Sequence, residues 1–373
     1  MIKVKPIFGA HQIYQEIVNY PPKGVKYLGV SNQTKKGEYY QNKKWKEFLN
    51  RVSQFFNLPR MIYLKPGDYD LIHSSRGIIP LNKKPWVMDV EHFYSFMGLH
   101  SKAVENKFIK KFIEWRLGSK YCKAILCHCD ATLQGFLKHF DCRKFKDKLK
   151  VVYPSSHITK IKKEKHETIR ILCILSLFEQ KGGVQVLEAF SRIEKKYKNI
   201  ELWMRSDVPE EIKEKYTSKN IKYTEYSSNI VPREELLKTV YAKCDIFLYP
   251  TLCDSFGYNL VDSMVAGMPT IGTNLFAVPE VVLDGKTGLI VDIPGYNLHE
   301  NYIQEHPIAK LVGKDNEKFI DNLKEAMAKL VSNKSLIKKM SKANFERISS
   351  GEFSIDTRNK QLISVYNGAL NEK

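Results

Sequence analysis

Two carboxylates, Asp254 and Asp262, stand eight positions apart in the stretch Thr251–Asp292, TLCDSFGYNLVDSMVAGMPTIGTNLFAVPEVVLDGKTGLIVD. Between them Phe256, Gly257 and Tyr258 lead into the run that begins at Asn259 and Leu260. Gly257 can take a positive φ or admit the close approach of a backbone. The amides of Phe256, Gly257 and Tyr258 would then face a ligand at a helix N-terminus, where the dipole favours an anion. The chemistry that fits is a phosphorylated ligand lying in a crevice bordered by two acids with different tasks. One alternative stays open: Asn259 followed three residues later by Asp262 also reads as an N-cap with an acid at N3, which would make Asp262 purely structural.

A strand and a helix must hold these residues. Ile246–Tyr249 reads as a buried parallel strand stopped by Pro250, and Leu260–Ala266 as a short helix stopped by Gly267 and Pro269. At the start of the chain Ile2–Ile7, His11–Val18 and Val25–Val30 read as strand, helix and strand of a βαβ unit, with Gly9 at the turn where backbone could approach a diphosphate. Asp70–Ser74 and Trp86–Val90 are two more buried strands. The crevice of an open parallel sheet lies at the carboxyl ends of its strands, so His92, just past the second, is a candidate site residue, whereas His73, His128 and His139 have no such support.

Ala103–Gly118 reads as a helix with Phe108, Ile109, Phe112 and Ile113 on one stripe and Lys107, Lys110, Lys111 and Arg116 elsewhere. A strand at Ala124–Cys127, a helix at Ala131–His139 and a strand at Leu149–Tyr153 follow. The Lys-rich run Ser155–Glu167 reads as a linker. Alternation restarts with Ile169–Leu175, Gly183–Lys195, Ile200–Met204 and Arg233–Ala242, which predicts a second Rossmann-like domain. Ser31–Lys46 reads as an exposed loop that could touch an acceptor, the residues after Asp292 as an irregular insertion, and Asp315–Val331, Ser335–Ser349 and Ser354–Leu370 as helices.

The 373 residues are enough for two domains with sizeable cores. The longest apolar runs fall far short of the roughly 20 residues a membrane helix requires, and MIKVKPIF at the start reads as a strand and not a signal peptide. The expected location is the cytoplasm, including the inner face of a membrane. Seven scattered cysteines, with Cys127 and Cys129 too close for CxxC spacing, read as buried reduced thiols, and no metal-ligand spacing accompanies the helix start. The net charge of +19 is uneven: Met1–Lys150 holds 28 Lys and Arg against 12 Asp and Glu, and the remainder 32 against 29. A basic first half suits an anionic membrane, a phosphorylated substrate or nucleic acid, and charge alone does not choose.

Strand, Pro250, acid, Phe256-Gly257, Asp262, Gly267-x-Pro269, Glu280 and Gly285-x-x-Gly288 occur in an order that resembles the C-terminal half of retaining GT-B glycosyltransferases of family 4. The likeness is specific from Pro154 to about Tyr366 and looser before it. The family's signature is two glutamates separated by seven residues, and Asp254 and Asp262 stand at those places. SLFEQKGG looks like the family loop in which an Arg and a Lys hold the donor diphosphate; Lys181 and Gly182 match, and Ser176 stands at the Arg. PREELLKTVYAKCDIFLYPT is similar as well, and the loop Ser228–Val231 before it would cover the nucleotide base.

The resemblance implies an α/β GT-B fold of two Rossmann-like doubly wound domains with an interdomain cleft. Its expected limits are 1–154 for the acceptor side, 155–168 for the linker, 169–350 for the nucleotide-sugar side and 351–373 for a helix crossing back. It implies a hexosyltransferase that takes a UDP- or GDP-linked sugar as substrate, without a further cofactor or metal, and passes it to a lipid-linked, phosphorylated or glycan acceptor. Lys181 and the Asn259-Leu260 helix start would meet the diphosphate, Asp254 and His92 the sugar, and Asp262 a ribose hydroxyl. An anionic membrane surface is the expected partner and nucleic acid is not. Each Asp is one methylene shorter than Glu, a reach lost of roughly 1.5 Å, and the competing reading is therefore a non-catalytic binding protein on the same fold, attached to membrane or nucleic acid through its basic half.

Overall fold

In the computed structural model the described residues are 1–29, 58–97, 105–228, 231–297, 299 and 316–371. They form two compact units. The first holds residues up to Ser155 together with the C-terminal segment from Ile355, and the second runs from Ser156 to Ser354. The Ser31–Lys46 loop, the start of the 103–118 helix, Asn229 and Ile230 of the base-covering loop and most of the insertion lie outside the described residues.

In the first unit the order is β1 (Ile2–Ile7), α1 (Gln12–Asn19), β2 (Val25–Tyr27), β3 (Met61–Ile62), β4 (Leu71–Ser74), β5 (Ile79–Pro80), β6 (Trp86–Val90), α2 (Lys107–Leu117), β7 (Cys122–Cys127), α3 (Asp130–His139) and β8 (Leu149–Val151). Six strands make one parallel sheet, ordered β2-β1-β4-β6-β7-β8, and β3 and β5 form a separate pair. β4 and β6 are buried at every residue, as strands covered on both faces must be. Val25–Val30 is shorter than its sequence implies: the strand closes at Tyr27, and Gly29 turns out with φ 76°.

The second unit contains β9 (Ile169–Ile174), α4 (Gly183–Ile193), β10 (Ile200–Arg205), α5 (Glu210–Lys215), β11 (Ile221–Thr224), α6 (Arg233–Thr239), β12 (Ile246–Tyr249), α7 (Tyr258–Val265), β13 (Thr270–Thr273), α8 (Val278–Val281), β14 (Gly288–Val291), α9 (Asn316–Val331) and α10 (Lys334–Ser349). Its parallel sheet is ordered β11-β10-β9-β12-β13-β14. The chain builds outward from β9 to one edge, returns, and builds outward from β12 to the other, so the order reverses between two adjacent central strands. Ligands of such sheets bind at the carboxyl ends beside that reversal. β11, β13 and β14 have no counterpart in the sequence reading; β13 (TIGT) and β14 (GLIV) are too short and Gly-broken to show a period.

The Ser156–Thr168 stretch has no regular element but is tied to the second unit. Glu164 N donates to Ala242 O at 3.0 Å, and Lys163 Nζ to Tyr241 O and Cys244 O at 3.1 and 2.8 Å. The last helix, α11 (Ile355–Asn371), belongs to the first unit, where the Tyr366 hydroxyl meets Tyr27 Oη at 2.8 Å and His73 Nδ1 at 2.7 Å. His73 Nε2 in turn lies 2.9 Å from Asp89, inside the core. All seven cysteines are free thiols and six are buried.

α2 is rotated relative to its sequence reading. Its core stripe is Ile109, Ile113, Arg116 and Leu117, at helical spacing. Phe108, expected on the buried stripe, is 87% exposed. Arg116, expected on the charged face, is buried; its guanidinium donates to Pro80 O at 2.6 and 3.1 Å and to Asn82 O at 3.1 Å, which satisfies the charge that burial would otherwise penalise.

Candidate functional site

The loop after β9 and the loop after β12 meet because β9 and β12 are neighbours, paired Ile246 to Ile171 and Leu248 to Cys173. Two glycines set how closely. Gly182 caps α4 with φ 77°, and a Cβ there would lie 2.5 Å from Pro250 O, so the first loop packs directly on the end of β12. Gly257 caps α7 with φ 79°, and a Cβ there would lie 2.5 Å from the Tyr249 hydroxyl. Both approaches exclude a side chain.

This packing delivers Lys181 onto Asp254. The ammonium forms an ion pair with Asp254 Oδ2, the Tyr249 hydroxyl donates to the same oxygen, and Oδ1 accepts from the Ser255 amide at 2.8 Å. Both charged side chains are only partly covered, Lys181 14% and Asp254 19% exposed. Burial, and then the neighbouring Asp254 charge, hold the Tyr249 hydroxyl well above its usual pKa, so it stays a donor. Tyr249 was not singled out by its sequence, where it is one more apolar residue of a strand; only the fold puts its hydroxyl under the turn.

The helix start differs from its sequence reading. α7 begins at Tyr258 with Gly257 as its N-cap and no side-chain cap bond, so Asn259 is inside the helix and does not cap it. Asp262 then sits in the second turn, and its Oδ1 accepts from Arg233 Nε at 2.6 Å, which removes the capping alternative. Leu260 is fully buried and its amide donates to Gly257 O at 2.8 Å, so it serves the helix and not a ligand. Phe256 is buried too, while Tyr258 and Asn259 are half-buried at the positive end of the dipole.

Ser176, at the missing Arg, is exposed after β9. Arg205, from the end of the adjacent β10, is buried beside it: its carbonyl accepts from the Leu175 amide at 3.0 Å and its guanidinium lies 5.9 Å from the Tyr226 ring. In the first unit Gly9 and His92 each follow a strand at the carboxyl edge, after β1 and β6, with β4 between. Gly9 has an ordinary φ and open space where a Cβ would be. His92 is buried and stacked on Tyr94, ring centroids 4.5 Å apart, and its amide donates to Ser95 Oγ at 3.0 Å. Among the described residues no group of three His, Cys, Asp or Glu could hold a metal ion.

Residues 155–306 match the family model Glycosyl transferases group 1. A protein from Klebsiella pneumoniae described as an uncharacterized 41.2 kDa protein in the cps region is 27% identical over 73% of this chain and 76% of its own. N-acetyl-alpha-D-glucosaminyl L-malate synthase of Bacillus anthracis is 30% identical over 38% of each chain. The crystal structure of a glycosyltransferase from Rickettsia africae superposes with a TM-score of 0.60 over 100% of this chain and 99% of that one, at 13% identity. Two parallel Rossmann-like sheets with this likeness define the fold as GT-B. Residues 155–306 carry a glycosyl transferases group 1 domain, which supports a glycosyltransferase function.

Proposed function

We propose that the protein is a retaining hexosyltransferase that takes its sugar from a nucleoside diphosphate. The observation that supports this most directly is the Lys181–Asp254 pair beneath the start of α7, at the strand-order reversal of the second sheet. Glycosyl transfer passes through an oxocarbenium-like state while a doubly charged diphosphate departs, so the site needs cation and dipole on one side and an anion on the other. An ammonium has three donors. Lys181 can hold Asp254 with one and the diphosphate with the others, which keeps the acid near the sugar and the cation on the leaving group. Asp262 is assigned to the nucleotide ribose, Gly9 to the diphosphate and His92 to a sugar hydroxyl, and retention is what the resemblance implies. The test is incubation with UDP- and GDP-sugars and a panel of acceptors, reading free nucleoside diphosphate and, by NMR, the anomeric configuration of the product. Binding without release of diphosphate on any acceptor would instead identify a binding protein.

The acceptor is proposed to be lipid-linked, reached from an anionic membrane surface. Phe108 and Trp115, 87% and 63% exposed, flank Phe112 on the outer face of α2, with Lys107 and Lys111 between and beside them. Aromatic rings with lysines on one helix face suit the headgroup boundary, and each basic residue there contributes about 1 kcal/mol. Flotation with anionic vesicles is expected to carry the protein up at low salt, less so as salt shortens the Debye length, and not after Lys107→Glu with Lys111→Glu. Equal flotation with neutral vesicles would refute this docking.

A further inference from the structure

Arg233 opens α6, and its guanidinium binds a buried acid of α7. Nε donates to Asp262 Oδ1 at 2.6 Å, and Nη2 donates to Ser156 Oγ at 2.6 Å. Nη1 lies 3.9 Å from Glu234 Oε1, and the guanidinium carbon lies 5.9 Å from the Tyr258 ring centroid. Glu234 is itself held by His157 at 2.5 Å and Thr159 at 2.8 Å. Arg233 thus spans α6, the Ser156 segment and the first two turns of α7, with its side chain largely buried. A planar guanidinium fixed at several atoms imposes its own plane on the carboxylate it binds.

We infer that Arg233 is the positioning residue for Asp262, and that an Asp–Arg pair, not a lone carboxylate, reads the ribose of the nucleotide. This rests on the reading that Asp262 faces a nucleoside diphosphate. A glutamate at position 262 could bend toward a ribose through an extra torsion; an aspartate has one fewer, so its direction depends on what grips its other oxygen. Arg233 grips Oδ1. A carboxylate offers about four lone-pair sites, so that grip leaves capacity for a hydroxyl donor. The guanidinium also offsets the cost of a buried acid close to a bound diphosphate, which would otherwise repel it.

The competing explanation is that Arg233 only ties Ser156 to the helices. Calorimetric binding of UDP and GDP, each beside its 2′-deoxy and 3′-deoxy analogues, separates the two. For whichever nucleotide binds, the wild type is expected to lose roughly ten-fold or more on removal of the hydroxyl that Asp262 accepts. Arg233→Ala and Asp262→Ala should bring the ribonucleotide down to its deoxy analogue, within about three-fold, because the hydroxyl is no longer read. Arg233→Lys should fall between, and Ser156→Ala, which spares the bond to Asp262, should keep the wild-type ratio. If Arg233→Ala does not fold, Arg233→Lys and Asp262→Ala decide the matter. A ratio preserved in Arg233→Lys or Arg233→Ala, with both nucleotides weakened alike, overturns the inference in favour of the structural tie. A wild type that binds a nucleotide with no preference for either hydroxyl overturns the ribose contact, and one that binds neither UDP nor GDP overturns the nucleotide reading itself.

Discussion

Asp254→Asn should lower kcat by about 100-fold to 1000-fold, the loss expected when one preorganised electrostatic group is removed from a transition state, while the donor KM stays the same or falls. The direction of the KM change follows from the geometry. Lys181 loses the charge partner it has in Asp254, so more of its field is available to the diphosphate. Tyr249 can still donate to the amide oxygen, so the side chain stays in place. The substitution therefore removes the negative charge near the sugar and little else, and steady-state kinetics with donor varied at saturating acceptor reads the two constants separately. A raised donor KM with kcat unchanged would move Asp254 from the sugar to the nucleotide. Equal loss of folded protein would instead make it a structural residue.

Gly182→Ala should destabilise the second unit through a single added methyl group. The alanine must hold φ near 77°, a left-handed conformation costing about 1–2 kcal/mol, and its Cβ would stand 2.5 Å from the Pro250 carbonyl, a backbone atom that cannot swing aside. Overpacking of that kind adds about 1–3 kcal/mol. The total of about 2–5 kcal/mol corresponds to a fall of roughly 4–20 °C in the melting temperature of a domain this size. Because the loop carries Lys181, the folded fraction should also bind donor more weakly. Gly9→Ala is the control, since its φ is ordinary and the space beside it is open, so melting should not change. An effect of Gly9→Ala confined to donor KM would then report a ligand passing close to the backbone. Unchanged melting in Gly182→Ala would mean that the loop relaxes away from Pro250, and the packing argument for Lys181 would fall with it.

The two acids and the lysine were legible because each sits in a short stretch whose residue types and spacing carry meaning locally: Gly257 before a helix, Pro250 after a strand, Gly182-Gly183 opening a helix. Positions that depend on rotation about an axis were less legible. α2 shows the point, since Phe108 and Arg116 exchanged faces relative to their reading although the helix itself was placed within a few residues. An apolar stripe has two edges, and which edge meets the sheet depends on what the neighbouring strands and loops leave to fill; here the Pro80 and Asn82 carbonyls drew Arg116 inward. The start of α7 moved by two residues for a similar reason, because Gly257 had to turn over the Tyr249 hydroxyl before the helix could begin.

By itself the amino-acid sequence determined the alternation of buried strands and amphipathic helices, the break into two α/β units, the basic first half and the local chemistry around Asp254, Asp262 and Lys181. These are short-range properties, written in hydrophobic period, turn residues and charge. Only the tertiary structure decided which of those groups touch. Lys181 and Asp254 are 73 positions apart and meet because β9 and β12 pair at the reversal of strand order. Tyr249 joins them because Gly257 leaves room, and the long Arg233 side chain reaches Asp262 from α6, which precedes β12, to α7, which follows it. Contacts of that separation follow from strand order and from close packing of the interior, which no local pattern of residues encodes.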